Sequence, residues 1–388
     1  MGEAMAAFTV PMQTAAARVL VAEDQTNIIE ALRMLLKQEG FETYAVTSPA
    51  EVLSALRSQS FDLLLMDLNY TRDTTSGAEG LDLIRQIRSL DETLPIIAMT
   101  AWGSVDLAVE AMRQGAGDFI QKPWDNWRLI GMVRNQMDRR RTLHNLEKEK
   151  ERELREAGEL QKRLLPKHIT QIPGFDIAAD WRPVRQLGGD YFDVLRFADG
   201  SLGLCIADVE GKGVPAALVM SNLQAAVKAF AGEHVSPREL CTRLNDIFCR
   251  NMPTEKFITF FYARLDPLRK RLTYGNAGHC PPLAFRRDGT FRSLAEGGAV
   301  LGKLPGWTYE QGEVELQPGD RIVLFTDGIS EAEDAAGREF GSEGILACLR
   351  ANTSQDAMCL QRELTSTVAR HCNNRFTDDA TLMIVALQ

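Results

Sequence analysis

The chain has 388 residues, 45 % of them hydrophobic and 25 % charged, with a formal net charge of −9. That length predicts two domains, and that balance is one of a globular protein, not a disordered or fibrous one. No basic surplus is available to neutralise a phosphate backbone and no run of ~18 apolar residues offers a membrane span, so neither nucleic acid nor membrane is expected as a partner.

Residues 1–17 form an N-terminal extension without the basic end and apolar stretch of a secretory signal, which predicts a cytoplasmic location. The seven cysteines all fall in the second half and none forms a Cys-x-x-Cys pair. They read as free thiols in a reducing compartment.

From residue 18 to 135 short apolar runs alternate with amphipathic stretches. Arg18–Ala22, Leu63–Asp67, Ile96–Met99 and Asp118–Ile120 read as buried strands. Helical patterns over Asn27–Gln38, Pro49–Ser58, Leu81–Arg88, Val105–Gln114 and from Asn126 onward separate them. This alternation predicts a doubly wound, flavodoxin-like α/β sheet with its functional crevice at the carboxyl ends of the strands.

Residues 136–165 read as a helical linker. Between Met132 and Leu164 there is no proline, a single glycine and dense mixed charge. Leu129, Met132, Gln136, Arg139, Leu143, Leu146, Lys150, Glu153, Ala157, Leu160 and Leu164 follow alternating steps of three and four, a heptad seam that is polar in its middle. Two readings stand: a solvated helix, or a weak parallel coiled coil that makes the protein a homodimer. Pro166 is expected to end the helix.

Residues 166–388 have another texture. Strand-like runs at Leu202–Ala207, Ile258–Leu265, Arg271–Tyr274, Arg321–Phe325 and Ala380–Ala386 mix with helical patterns at Pro215–Phe230, Pro237–Asn251, Glu343–Arg350 and Gln355–Cys372. Grouped strands and paired helices predict a layered α+β domain.

Two acidic sites stand out. In the first, Glu23 and Asp24 close one strand and Asp67 another, so three carboxylates converge in the crevice. Their mutual repulsion is relieved by a hard cation such as Mg²⁺. Thr100 and Lys122 end the neighbouring strands, where a hydroxyl and an ammonium suit the oxygens of a transferred phosphoryl group. A strand-end Asp or a Lys-Pro alone is usually structural, but five such residues in this order are specific. Residues 18–135 resemble the receiver domain of two-component response regulators. The resemblance implies Asp67 as phosphoacceptor for a sensor histidine kinase, with Glu23, Asp24, Asp67 and the carbonyl of Asn69 as Mg²⁺ ligands. It implies Thr100 and Lys122 as phosphoryl-binding switch residues and Phe119 as the aromatic that repacks. The turn Asn69–Glu79 is longer and more polar than receivers usually carry, and is expected to shield the phosphoryl group.

The second site is built from four motifs: Gly188-Gly189-Asp190-Tyr191-Phe192-Asp193, Ala207-Asp208-Val209-Glu210-Gly211-Lys212-Gly213, Thr326-Asp327-Gly328, and Asp378-Asp379-Ala380-Thr381. Each flanks a strand-like run. Short, rigid aspartates from separate strands make a cage for two divalent cations, Mn²⁺ or Mg²⁺, which can activate water for in-line attack on phosphorus. Singly, each motif reads as a turn.

Together with Gln161-Lys-Arg-Leu-Leu-Pro166, Asn276-Ala-Gly-His279 and Glu339-Phe-Gly341, they resemble the metal-dependent PPM class of serine/threonine phosphatases, in its SpoIIE-like branch. That implies an αββα sandwich and metal ligation by Asp190, Asp208, the carbonyl of Val209, Asp327 and Asp378. Asp193 and Asp379 lie nearby without an assigned role. Glu210 stands where eukaryotic relatives carry a histidine, leaving the proton donor to the leaving group open. Arg185, five residues before Asp190, takes the place of a substrate-phosphate-binding arginine.

The combined resemblance implies a response regulator whose Asp67 phosphorylation controls hydrolysis of phosphoserine or phosphothreonine. The implied substrate is a partner protein, a STAS-type anti-sigma-factor antagonist of a partner-switching pathway. The competing reading is a non-catalytic adaptor with a phosphatase-like binding domain. A DNA-binding output lacks any helix-turn-helix with basic flanks.

Overall fold

The computed structural model describes residues 16–70, 77–100, 105–253 and 255–388. The chain divides into two compact units between Lys150 and Glu151.

The first unit runs β1 (Arg18–Ala22), α1 (Thr26–Gln38), β2 (Glu42–Val46), α2 (Pro49–Ser58), β3 (Leu63–Asp67), α3 (Ala78–Leu90), β4 (Ile96–Thr100), α4 (Val105–Arg113), β5 (Asp118–Gln121) and the first part of α5 (Asn126–Lys162). The strands form one parallel sheet in the order β2-β1-β3-β4-β5. β3 and β4 are apolar almost throughout and buried at every residue, as strands covered by helices on both faces must be. One face packs Leu64, Met66 and Ala98 against Leu83, Ile84 and Ile87 of α3. The other packs Val21, Leu63, Leu65 and Ile97 against Leu32 and Leu36 of α1 and Leu129 and Val133 of α5. Each fully buried Leu, Ile or Val stabilises this arrangement by about 1.5–3 kcal/mol. The edge strand β2 is absent from the sequence reading. Only Val46 of its five residues is buried, so it carries no continuous apolar run.

Helix α5 corrects the seam in part. Leu129 and Met132 pack on the first unit's own sheet, and Gln136 donates from Nε2 to the Gly117 carbonyl at 2.9 Å. These three positions are occupied within one chain. Residues 141–153 are exposed, Leu143 and Leu146 among them. The helix ends at Lys162, ahead of Pro166, and Leu165 lies in the apolar core of the second unit.

The second unit runs β6 (Phe175–Arg182), β7 (Tyr191–Arg196), β8 (Leu202–Val209), α6 (Val214–Phe230), α7 (Pro237–Asn251), β9 (Ile258–Asp266), β10 (Arg271–Ala277), β11 (Leu283–Phe285), β12 (Phe291–Ser293), β13 (Gly297–Gly298), β14 (Gly312–Glu315), β15 (Arg321–Phe325), α8 (Asp327–Ser330), α9 (Gly341–Ala351), α10 (Ala357–His371) and β16 (Ala380–Leu387). One sheet has the order β13-β10-β9-β8-β7, with β14 beside β10, and the other β12-β11-β15-β16-β6. Leu204, Ile206 and Phe261 of the first share a core with Ile177, Leu324, Met383 and Val385 of the second. Val323, Leu382 and Ile384 face the opposite way, onto Leu346, Leu349, Leu360 and Leu364 of α9 and α10. Helices α6 and α7 cover the outer face of the first sheet, giving four layers in the order αββα. Strands β6, β7 and β11–β14 carry no long apolar run to mark them: β11–β13 have three residues or fewer, and charged residues interrupt β6, β7 and β14.

Candidate functional site

In the first unit, parallel β1, β3 and β5 bring Glu23, Asp67 and Lys122 to the same end of the sheet. One ligating oxygen each of Glu23, Asp24 and Asp67 lies within 4.8 Å of the others. The Lys122 ammonium donates to Glu23 Oε2 at 2.6 Å and to Asp67 Oδ2 at 2.7 Å. Burial raises the Glu23 carboxyl above its ordinary range even though Lys122 opposes it. Asn69 donates its backbone N–H to Asp67 Oδ1 at 3.2 Å, while its own buried Oδ1 has no hydrogen-bond partner. A buried oxygen without a donor beside crowded carboxylates fits a hard divalent cation such as Mg²⁺. Thr100 is buried at the end of β4, and Phe119 on β5 is 37 % exposed.

In the second unit four chain segments converge. Asp190 precedes β7 and is completely buried. Its Oδ2 accepts hydrogen bonds from Thr326 Oγ1 at 2.8 Å and Thr381 Oγ1 at 2.5 Å, whereas Oδ1 has no partner. Asp208 lies near the end of β8; burial, then Asp327, Asp378 and Asp379, push its pKa up to about 7. Asp327, at the start of α8, is raised to about 6 by burial, then by Asp378 and Glu331. Asp190 itself is pushed well up by burial and then by Asp208. Carboxyls that hold one another protonated for want of cationic charge, with oxygen donors alone, fit Mg²⁺ or Mn²⁺.

The glycines of these motifs serve close approach. A Cβ on Gly328 would stand 2.0 Å from the Asp379 carbonyl, and one on Gly189 would stand 2.9 Å from the Val209 carbonyl. Two neighbouring strand ends therefore meet at distances no side chain permits.

Residues 19–134 match the response regulator receiver domain family, and residues 198–388 match the family of Stage II sporulation protein E, SpoIIE. The chain joins a response regulator receiver domain to a SpoIIE-family domain. Phosphoserine phosphatase RsbU of Bacillus subtilis is 35 % identical over 197 residues, which cover 50 % of this chain and 58 % of RsbU. Response regulator protein FleR of Pseudomonas aeruginosa is 41 % identical over 118 residues, 30 % of this chain and 24 % of FleR. The structure of the SiaA-PP2C domain of Pseudomonas aeruginosa superposes with a TM-score of 0.54 at 24 % identity, over 63 % of this chain and 98 % of that one. That likeness speaks for the fold alone. The chain spans 58 % or less of the length of these curated relatives.

Within the SpoIIE domain the expected residues fall in different surroundings. Asp208 stands among Asp327, Asp378 and Asp379 and beside Asp190, while the Val209 carbonyl lies against Gly189. Asp379 accepts the backbone N–H of Val184 at 2.7 Å and of Gly189 at 2.6 Å, holding the loop that leads into Asp190. Asp193 lies apart from the cluster. Its Oδ2 accepts from Tyr191 at 3.0 Å and pairs with Lys228 of α6 at 3.5 Å. Exposed Glu210 accepts from Lys256 through its carbonyl at 2.8 Å. Arg185 is exposed beside the loop after Asp208, its Nη1 3.9 Å from the position of a Cβ on Gly213. His279 is buried, with Thr259 Oγ1 2.8 Å from Nδ1 and the Phe325 carbonyl 3.1 Å from Nε2.

Four residues near these sites carried no role in the sequence. Tyr70 is buried in the receiver domain, its hydroxyl 3.5 Å from the Ala22 carbonyl. Thr326 and Thr381 hold Asp190, and Lys212 pairs with Asp378 at 2.9 Å. Each threonine sits beside a motif aspartate, which is the one signal the sequence offers for it. The shielding expected of the Asn69–Glu79 turn falls on residues 71–76, which lie outside the described residues. No helix among the described residues is long and apolar enough to cross a membrane.

Proposed function

We propose that this chain is a metal-dependent protein serine/threonine phosphatase controlled by phosphorylation of its receiver domain. The observation that carries the reading is Asp190, a fully buried carboxyl with one oxygen held by two threonines and the other unpartnered, beside Asp208, which itself stands among Asp327, Asp378 and Asp379. Burying so much like charge is unfavourable unless cations compensate it. The likeness to a protein named phosphoserine phosphatase supports the reaction class.

In this reading Asp190, Asp208, the Val209 carbonyl, Asp327 and Asp378 hold two Mn²⁺ or Mg²⁺ ions. Such ions, when bound, supply a nucleophile at neutral pH and charge stabilisation for in-line phosphoryl transfer. The chain's own residues then orient and bind. Thr326 and Thr381 fix the Asp190 carboxylate, Asp379 fixes the loop before it, and exposed Arg185 takes the substrate phosphate.

In the receiver domain, Glu23, Asp24, Asp67 and the Asn69 carbonyl hold Mg²⁺, with Asp67 as phosphoacceptor from a sensor histidine kinase. Thr100 and Lys122 bind the phosphoryl oxygens, and exposed Phe119 is free to repack. The substrate is a phosphorylated STAS-type anti-sigma-factor antagonist. The exposed stretch of α5 around Leu143 and Leu146 supplies the homodimer contact.

The test is phosphate release from a phosphoserine protein by the full chain with Mn²⁺, with and without a small acyl-phosphate donor. Asp208→Ala is expected to abolish release, and Asp67→Ala to abolish the donor's effect. Release that persists in Asp208→Ala would sink the reading.

A further inference from the structure

The single glycine of the linker segment, Gly158, has a structural reason. A Cβ there would lie 2.2 Å from the Gln186 carbonyl, so α5 presses its backbone onto the loop leading to Asp190. A glycine inside a helix costs about 1 kcal/mol relative to alanine, so close approach is what it provides. One turn later, and on the same face, stands Gln161, 3 % exposed. Its Nε2 donates to the Gly188 carbonyl at 2.7 Å, and the Gly188 N–H donates back to Oε1 at 3.0 Å. The carboxamide thus grips both polar groups of Gly188, as a paired strand would. Gly188 has no room to shift on its other side, where a Cβ would meet Asp379 Oδ2 at 2.7 Å. Two residues further on is Asp190.

We propose that Gln161 is a positioning residue for the second acidic centre: its clasp on Gly188, seated by Gly158, sets Asp190 and so the affinity of the centre for its divalent cations. The inference rests on the metal-site reading above. A carboxamide offers a donor and an acceptor side by side in one plane, matching a peptide's C=O and N–H, and asparagine is one methylene too short for the same reach. A glutamate would face the Gly188 carbonyl with a second acceptor. Just past the end of α5 the chain also meets α6, since Gln224 Nε2 donates to the Leu164 carbonyl at 3.1 Å. Helix α6 follows the Asp208 loop, so residues 161–164 touch both the loop before Asp190 and the helix after Asp208.

The test measures the Mn²⁺ dissociation constant of the full chain by titration calorimetry, together with its melting midpoint in chelator. Gln161→Met keeps the volume and removes the clasp, Gln161→Glu reverses one hydrogen bond, and Gly158→Ala pushes the helix away without touching either. Each is expected to weaken Mn²⁺ by at least about tenfold, the usual effect of losing a group that orients a metal ligand. Turnover should recover at saturating Mn²⁺. Variants that melt lower yet bind Mn²⁺ as the parent does would overturn the proposal, making Gln161 merely structural. A parent chain that binds no Mn²⁺ would instead overturn the metal-site reading, so the two failures are distinguishable.

Discussion

Lys212 and Asp378 form an ion pair of 2.9 Å at the mouth of the second acidic centre, and the same ammonium also donates to the Thr377 carbonyl. In the proposed metal site, a cation paired with the Asp378 carboxylate competes with the metal. Both side chains are more than a third exposed, so solvent screens the pair and its worth to stability is small. Its effect on metal binding is direct. Lys212→Met is expected to lower the Mn²⁺ dissociation constant several-fold in titration calorimetry, and an unchanged or raised constant contradicts this.

The raised carboxyls give the metal-free protein a distinct pH dependence. Asp208 titrates near 7 and Asp327 near 6 in the fold, against an ordinary value of 3.8. A native state that binds more protons than the unfolded chain loses stability as pH rises. Their contribution is therefore full below about pH 4 and lost by about pH 7. With chelator present, the melting midpoint of Asp208→Asn is expected to fall less across that window than the parent's. Mn²⁺ should also bind more tightly as pH rises through 6 to 7, with protons released to buffer, because the ligands must first ionise.

His279 gives the opposite slope for a different reason. Burial lowers its pKa to about 4, only partly offset by the Phe325 carbonyl. The unfolded chain takes up a proton near pH 6.5 that the native state refuses, so stability is lost as pH falls from about 6.5 toward 4. Nε2 donates to the Phe325 carbonyl, and Nδ1 accepts from Thr259, joining β9 to the end of β15. His279→Ala is expected to cost about 1–3 kcal/mol in denaturant unfolding. It should also remove this acid limb while leaving the pH profile of turnover without a new inflection. A lost inflection in turnover would instead make His279 a proton donor.

The sequence was most informative where function forces several residue types to meet. The ends of β1, β3 and β4 were legible because buried strands read as apolar runs that lead into polar residues; β5, expected to be buried, buries only Ile120 and was marked by the Lys-Pro that follows it. The aspartates of the SpoIIE domain were legible as motifs. What escaped was of two kinds. Edge and surface strands such as β2 and β12 bury few residues, so no apolar run or periodicity marks them. The role of residues that work through backbone contacts escaped as well: Gln161 stands in a motif, but the peptide it binds is 27 positions away and nothing in the motif points to it. At its first three positions the heptad pattern misled for a related reason. Leu129, Met132 and Gln136 are periodic because they face a sheet, and one apolar face looks the same in sequence whatever covers it.

Asp379 is a structural support beside Asp378, the residue proposed as a ligand. It is adjacent to Asp378, yet its two oxygens accept the N–H groups of Val184 and Gly189 at 2.7 and 2.6 Å. Burial raises its pKa, and these backbone donors oppose that. In Asp379→Asn one oxygen becomes an NH₂ group facing an N–H donor, so one hydrogen bond becomes a repulsive contact. A buried bond to a charged acceptor is worth about 1.5–3 kcal/mol, and a loss of that size is expected in denaturant unfolding. Because the released loop carries Gly188 and Asp190, Mn²⁺ affinity should fall with it while turnover at saturating Mn²⁺ stays near that of the parent. Asp378→Asn is expected to do the reverse, leaving the fold intact and turnover unrecoverable. If both variants lose turnover that Mn²⁺ does not restore, Asp379 ligates directly and the distinction between the adjacent aspartates fails.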